Sequence, residues 1–327
     1  MPTASSAPEP RPRAKLCVVI LNYRTPDLVE GALRSLDGQI SPPESLVVVV
    51  DNDSGDGSDH AIEATIERAG YGDWARLIRA GRNGGFSAGN NVGIRAVDAE
   101  YYLLLNSDTI VRPGAVAELM RQIEAHPEVG IASPRLEWPD GTPQESCFRD
   151  PDGWTEFLGA ASTGPITKLL PDREVFLPVQ SAPIDVEWTS FACVLIRREV
   201  IQRVGLMDEG YFMYFEDADY CRATRESGFR VRHFPSAHVV HLRGGSSDVK
   251  KQKARRRRPP KYFYESRMRY FRKHYGTAGA VGVNVMWSWG RGIHFLRERL
   301  LGTESNSCER EWLDNWTGLF RLQEGER

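Results

Sequence analysis

LCVVILNYRTPDLVEGALRSLDGQ, residues 16–39, opens as a β-branched apolar run, ends that run in polar side chains and passes at once into a helical pattern. Continuous apolar runs of this length are how parallel strands buried on both faces read. Thr25 stands where a helix N-cap is expected and Pro26 at the first helical position. Leu28, Val29, Ala32, Leu33 and Leu36 then fall on one helical face.

The same unit recurs outward from there. SLVVVVDNDSGDGS (45–58) is a second buried strand running into Asp51, and Ser58 to Ala69 reads as a helix. ARLIRA (75–80) is a third, shorter strand, and GRNGGFSAGNNVGIRAV (81–97) is a Gly/Asn-rich loop leading into a helix. YYLLLNSDTIV (101–111) is a fourth strand, followed by a helix after Pro113. This alternation predicts an α/β fold: a doubly wound, mostly parallel sheet with helices on both faces and right-handed crossovers.

The second half reads differently. Residues 135–185 are rich in Pro, Gly and Asp with weak periodicity, so loops and hairpins are expected. VEWTSFACVLIRREVIQRVG (186–205) is a strand turning into a helix, residues 211–229 are aromatic, then acidic, then helical, and residues 229–245 are strand pieces. Residues 262–275 and 278–301 are two further helices, a C-terminal helical extension.

Composition narrows the class. Of 327 residues, 41% are apolar and 26% charged, as in an ordinary soluble globular protein, and the net charge of −2 gives no global field that would attract nucleic acid. KKQKARRRRPPK (250–261) concentrates basic residues locally. Five widely spaced cysteines without a CxxC pair argue against a disulfide framework or zinc site and for a reducing compartment. Residues 1–14 read as a disordered leader without the apolar region of a signal peptide. No run reaches the ~18 apolar residues of a membrane-spanning helix. The expectation is a cytoplasmic protein, peripheral at the inner face of the cell membrane if it meets the membrane at all.

Ligands of open α/β sheets bind beyond the carboxyl ends of the strands. Asn22-Tyr23, Asp51-Asn52-Asp53 and Asn106-Ser107-Asp108 each follow a buried strand. Any one of them could start a turn or cap a helix; three in register favour a site. The chain has neither G-x-G-x-x-G after the first strand nor a phosphate-binding G-x-x-x-x-G-K-[ST] loop, which argues against hydride chemistry and P-loop hydrolysis. An aspartate beyond the second strand can accept from a nucleobase imide N–H while Tyr23 offers a stacking face. An aspartate beyond the fourth can hold a hard divalent cation against a diphosphate.

A second acidic group, Glu216, Asp217 and Asp219, follows the aromatics Tyr211, Phe212, Tyr214 and Phe215. Acids at a helix N-terminus complement its dipole; in an aromatic-lined cavity one of them is a candidate general base. His238 and His241, three apart on a strand, face opposite ways. His241, before a Gly-Gly-Ser loop, is the better placed for a site.

Taken together, VVILNYRTPDL, VVVVDNDSGDGS, NGGFSAGNNVGI, YLLLNSDTIV, VGLMDEGYFMYFEDADYCRA and HVVHLRGGSS resemble inverting glycosyltransferases of family 2, of the GT-A fold, in the rhamnosyltransferase-like branch. The resemblance implies that Asp51 reads the donor base, with Asn22, Tyr23, Asn52, Asn83, Asn90 and Ser107 around the donor nucleotide. It implies that Asp108 and His241 hold a divalent cation, Mg2+ or Mn2+, and that Asp217 deprotonates the acceptor hydroxyl. Trp188, Glu216 and Asp219 would bind the acceptor. Two positions depart from the common pattern: Asn106 stands where the family usually has an aspartate, an exchange this branch often shows, and Phe191 where the branch commonly has glycine, which narrows what that strand lines.

The implied donor is dTDP-L-rhamnose, with UDP-sugars fitting the same residues because uracil and thymine share an imide edge. The implied acceptor is a glycan or polyprenyl-diphosphate-linked saccharide of cell-surface polysaccharide synthesis. A nucleotide-sugar-binding protein without turnover is the rival reading. The domain expectation is a catalytic domain over 15–248, with a nucleotide-binding half (15–134) and an acceptor-binding half (135–248). A basic segment with C-terminal helices (249–302) and a tail (303–327) follow. AVGVNVMWSWGRGIHFLRERLLG (280–302) carries Trp287, Trp289 and Phe295 beside Arg291, Arg297 and Arg299. Three uses are open to it: lying on a membrane surface together with Lys250–Lys261, packing on the main domain, or a homodimer contact.

Overall fold

The structure, a computed structural model, describes residues 14–243, 249, 252, 255–302 and 308–319. Thirteen residues of the expected leader, Lys250, Lys251 and Lys253 of the basic run, and most of the expected tail lie outside the described residues.

The alternating first half forms β1 (Ala14–Asn22), α1 (Pro26–Leu36), β2 (Ser45–Asp51), α2 (Ser58–Arg68), β3 (Ala75–Arg79), α3 (Gly85–Ala96), β4 (Ala99–Asn106), β5 (Thr109–Val111) and α4 (Ala115–Ala125). It continues with β6 (Val129–Glu137), β7 (Cys147–Phe148), α5 (Gly153–Ala161), α6 (Gly164–Leu169), β8 (Ile184–Asp185), β9 (Trp188–Thr189), β10 (Cys193–Arg197), α7 (Arg198–Val204), α8 (Glu216–Glu226) and β11 (Arg230–His241). The main sheet runs β3-β2-β1-β4-β10-β6-β11-β5, with β8 also on β11. β1 pairs in parallel with both β2 and β4, whereas β10 enters antiparallel between β4 and β6. Two apolar layers cover its faces, one against α1 and α4, the other against α3, α7 and α8. This is the mostly parallel, doubly wound sheet that the strand pattern predicts.

Because the first strands are parallel and in register, Asn22 lies beside Asp51 and Leu21 beside Asn106. Their polar ends therefore share one edge. Helix α3 approaches that edge closely: a Cβ on Gly89 or Gly93 would meet Leu21 or Val19 at 2.3 Å. Gly85, with φ +82°, brings its backbone against Phe212, whose carbonyl accepts from Phe86 N–H at 2.6 Å.

Three local expectations are corrected. Thr25 occupies the N-cap position of α1, but its hydroxyl meets Asn22 Oδ1 at 3.1 Å and Ser107 Oγ at 3.0 Å rather than capping the helix. Residues 135–185 include α5 and α6 as well as loops; Asp152 and Thr155 form a capping box that starts α5. The small buried side of α5 (Leu158, Ala160, Ala161) gives little periodic signal and faces the distant C-terminal helix. The strand pieces after residue 229 fuse into one strand, β11, irregular between Phe234 and His238.

The long C-terminal helix, Lys261–Leu301, breaks at Gly276 (φ 67°), between the two helices expected there. It packs on the main domain through a third apolar cluster that includes Tyr211, Ala218, Met268, Tyr270, Phe271 and Val283. Of the basic run, Arg258 is committed to Asp314 by two hydrogen bonds of 2.7 and 2.6 Å, while Arg255, Arg256 and Arg257 are exposed. All five cysteines are buried, and none is in a disulfide. No helix among the described residues is long and apolar enough to cross a membrane.

Two glycine substitutions test this packing by urea unfolding. Gly31→Ala, in α1 with open space around it, is expected to stabilise by about 0.5–1 kcal/mol. Gly85→Ala meets both a left-handed backbone and the Phe212 carbonyl and is expected to cost more than about 1 kcal/mol.

Candidate active site

At the strand edge the polar residues first bind one another. Asn22 is fully buried; it donates to Asp51 Oδ1 at 2.7 Å and accepts from Thr25 N–H at 3.1 Å. Asp51 also accepts from Ser54 Oγ at 2.6 Å and from Ser54 N–H at 3.1 Å. Asn52 donates to Asn83 Oδ1 at 2.9 Å and to the Gly85 carbonyl at 3.1 Å, which ties the loop after β2 to the start of α3. Asn90 donates back to the Phe86 carbonyl within α3.

A cavity of about 440 Å³ opens beyond these strands. Tyr23, Asn52, Asn83, Ser107, Asp108, Glu216, Asp217 and His241 line it, so eight of the residues singled out from sequence converge on one space. Asn22, Asp51 and Asn90 lie behind its wall instead, as braces of the loops that form it. The Tyr23 ring is backed by the Arg24 guanidinium 5.0 Å from its centre.

Asp108 follows β4 and is largely buried; its Oδ1 lies 3.5 Å from His241 Nε2 at the end of β11. β5 pairs antiparallel with β11, placing Thr109 opposite His241. His238, on the other side of the strand, goes to Glu137, 3.2 Å away. The oxygen and nitrogen of Asp108 and His241 fit two ligands of one divalent cation. Among the described residues no third acid, His or Cys completes a cluster, so the rest of a coordination shell falls to substrate oxygens and water. Arg243, unremarked in the sequence pattern, lines the same cavity, with Nε on Gln144 Oε1 at 2.6 Å. Only its place two residues after His241 could have signalled it.

Opposite Asp108 stands the first turn of α8. Tyr214 (φ 74°) and Phe215 (φ 68°) both hold left-handed backbones immediately before it, a costly conformation for aromatic residues. That turn presents Asp217 to the cavity. Burial pushes the Asp217 carboxyl up to about 7, despite a hydrogen bond from the Ala218 amide at 2.9 Å. Glu216, buried beside it, is also raised, first by burial and then by the Asp217 charge.

Asp219 turns away from the cavity, contrary to an acceptor-binding role. Burial works to raise its pKa, but His274 at 2.7 Å and Lys273 at 2.7 Å overcome this and hold the carboxyl below the ordinary range. Tyr211 OH adds a third hydrogen bond at 3.2 Å.

On the far side of Asp217 lies a second cavity of about 460 Å³. Trp188, Phe176, Tyr214, Phe215 and Phe263 supply aromatic walls, and Trp287 and Arg291 of the C-terminal helix close it. Trp188 is fixed by stacking on Phe148 (4.0 Å, 20°) and by an indole hydrogen bond to the Arg149 carbonyl. Asp217 and Tyr214 belong to both cavities.

The model of the family described as "Glycosyl transferase family 2" matches residues 17–205, and the chain belongs to that family. Among its relatives, an N-acetylglucosaminyl-diphospho-decaprenol L-rhamnosyltransferase of Mycobacterium tuberculosis is 29% identical over 245 residues, covering 71% of this chain and 77% of that protein. The rhamnosyltransferase WbbL of Escherichia coli is 26% identical over 171 residues, covering 48% and 60%. A solved mannosyltransferase from Pyrobaculum calidifontis, in complex with GDP-Man and Mn2+, superposes with a TM-score of 0.57 at 15% identity, covering 93% of this chain and 79% of that one. The fold is of the GT-A type, and the protein is a glycosyltransferase.

The raised Asp217 carboxyl has a consequence for stability. It keeps its proton up to about pH 7 in the folded protein, whereas an unfolded aspartate releases it near 3.9. Between these values the folded state binds more protons, so stability falls as pH rises through that window. Asp217→Asn is therefore expected to raise the thermal midpoint at pH 8 by about 2–4 °C, corresponding to about 1 kcal/mol. The same substitution should have little effect at pH 4.

Proposed function

We propose that this glycosyltransferase is metal-dependent and inverting, and that it moves L-rhamnose from dTDP-L-rhamnose to a hydroxyl of a glycan or polyprenyl-diphosphate-linked saccharide in cell-surface polysaccharide synthesis. The observation that carries the reading is the place of Asp217 in the wall common to two cavities, the first of which Asp108 and His241 also line. The names of the rhamnosyltransferase relatives support the sugar and the lipid-linked acceptor. Structural neighbours solved with Mn2+ support the cation.

In this reading the nucleotide lies along Tyr23, Asn52 and Asn83, with Asp51 bracing the loop beside the base. A cation held by Asp108 and His241 supplies charge neutralisation of the diphosphate when bound. Asp217 accepts the proton of the acceptor hydroxyl as that oxygen bonds to the anomeric carbon. The bond from carbon to diphosphate oxygen breaks on the opposite face, so the configuration inverts. A carboxylate whose pKa burial pushes up to about 7 is a better proton acceptor than an ordinary aspartate and titrates near the working pH.

We infer further that the enzyme rests on an anionic membrane. Val285, Trp289, Leu296 and Leu300 are exposed at helical spacing on the C-terminal helix, and Arg255, Arg256 and Arg257 are exposed nearby in sequence.

A thermal-shift screen of nucleotide sugars with and without Mn2+ tests the donor. dTDP-L-rhamnose with Mn2+ is expected to stabilise most, by about 2.7 kcal/mol at a hundredfold excess over Kd, and Asp108→Asn should remove the Mn2+-dependent part. A larger shift with a UDP-sugar would replace the donor, and no shift with any nucleotide sugar would overturn the reading. The pH profile of kcat/KM should rise to a limb near 7, and Asp217→Asn should lose turnover while keeping the donor shift. In liposome sedimentation, Arg255→Ser, Arg256→Ser and Arg257→Ser together with Trp289→Ser should release the protein from anionic vesicles; undiminished binding would refute the membrane contact.

A further inference from the structure

Half of the residues that line the second cavity lie beyond residues 17–205, which the family model matches. Phe263, Trp287, Arg291 and Glu311 come from the C-terminal helix and the short helix after it, and Tyr214, Phe215 and Asp217 from the turn into α8. Close approach at Gly290, where a Cβ would meet the Phe157 carbonyl at 2.3 Å, presses the C-terminal helix against α5 and sets the width of the space.

Its charges are unlike those of a phosphate site. Among the described residues its acidic lining is Glu156, Asp217 and Glu311 and its basic lining is Arg291, 3.6 Å from Glu311. Glu156 is itself bridged by buried Arg267 at 2.8 Å. A diphosphate or uronate entering here would be desolvated among carboxylates without a surplus of cations, which is strongly unfavourable. A pyranose ring meets the opposite situation. Aromatic walls offer flat apolar faces to its C–H surfaces, and the carboxylates accept from its hydroxyls.

We propose that this cavity selects an uncharged pyranoside as acceptor, and that Trp287 and Phe176, brought together by the C-terminal helix and the loop before β8, determine that selectivity. Any anionic group that the acceptor carries stays outside the cavity. The proposal rests on the transferase reading above, with the acceptor approaching Asp217 from this side.

Saturation-transfer NMR on the full chain, with dTDP and Mn2+ present, tests it with a matched pair: methyl β-D-glucopyranoside and methyl β-D-glucopyranosiduronate. The neutral glycoside is expected to bind at least about tenfold more tightly than the uronate. Trp287→Ala should weaken the neutral glycoside about tenfold without changing the thermal shift given by the nucleotide sugar. Phe176 is 48% exposed, so Phe176→Ala should fold normally and gives the same readout should Trp287→Ala fail to fold. Equal or tighter uronate binding, or a neutral glycoside indifferent to Phe176→Ala, overturns the proposal. A missing nucleotide-sugar shift would instead sink the transferase reading while leaving the cavity's sugar preference to be read from the glycosides.

Discussion

Asp219 holds the active centre in place. A buried carboxylate is costly to desolvate, and here the cost is offset by donors from two elements: Tyr211 on the loop before α8, and Lys273 and His274 on the C-terminal helix. Arg269 adds a second tie, to Asp208, through hydrogen bonds of 2.8 Å. The ion pairs fix the rotation of α8 against the C-terminal helix. They thereby fix the direction of Asp217, two residues earlier, and the width of the cavity behind it. An acid that sequence alone would place in a binding site is thus the group that makes the site rigid.

Two opposing effects then set the character of Asp217. Its position in the first turn of α8 and its hydrogen bond from the Ala218 amide favour the ionised form. Burial between two cavities favours the neutral form and wins. The left-handed backbones at Tyr214 and Phe215 store local strain beside it, and the aromatic cluster around Phe215, Phe263, Tyr270 and Phe271 holds that turn against relaxation. Function here resides where several local preferences are overruled by packing.

On the donor side the logic is division of labour. Asn22, Asp51, Ser54 and Thr25 spend their hydrogen bonds on one another and make the loop edges stiff. Tyr23, Asn83, Asp108 and His241 are left to face the space those edges enclose. Asn106, where the family usually has an acid, lines the cavity without adding a negative charge.

The sheet was legible because uninterrupted β-branched runs and their polar ends are local signals, and parallel pairing carries those ends to a common edge without further information. Asp108 and His241 could be singled out for the same reason, as polar residues at strand ends, whereas Asp217 stands out from its acidic cluster only by the family resemblance. Helix α5 could not be seen, since its small buried face acquires meaning only against a helix more than a hundred residues later. Nor could the separate fates of Asp217 and Asp219, which share a helical turn and a side-chain type. Their difference is one of direction: residues two apart on a helix project about 200° apart, and only the packed C-terminal helix decides which one meets cations and which one meets a cavity. Sequence by itself determined the fold, its catalytic edge and the residue types gathered there. Tertiary structure decided which carboxylates are braces and which face the chemistry, because burial and partner charges are properties of the packed chain and not of any local stretch.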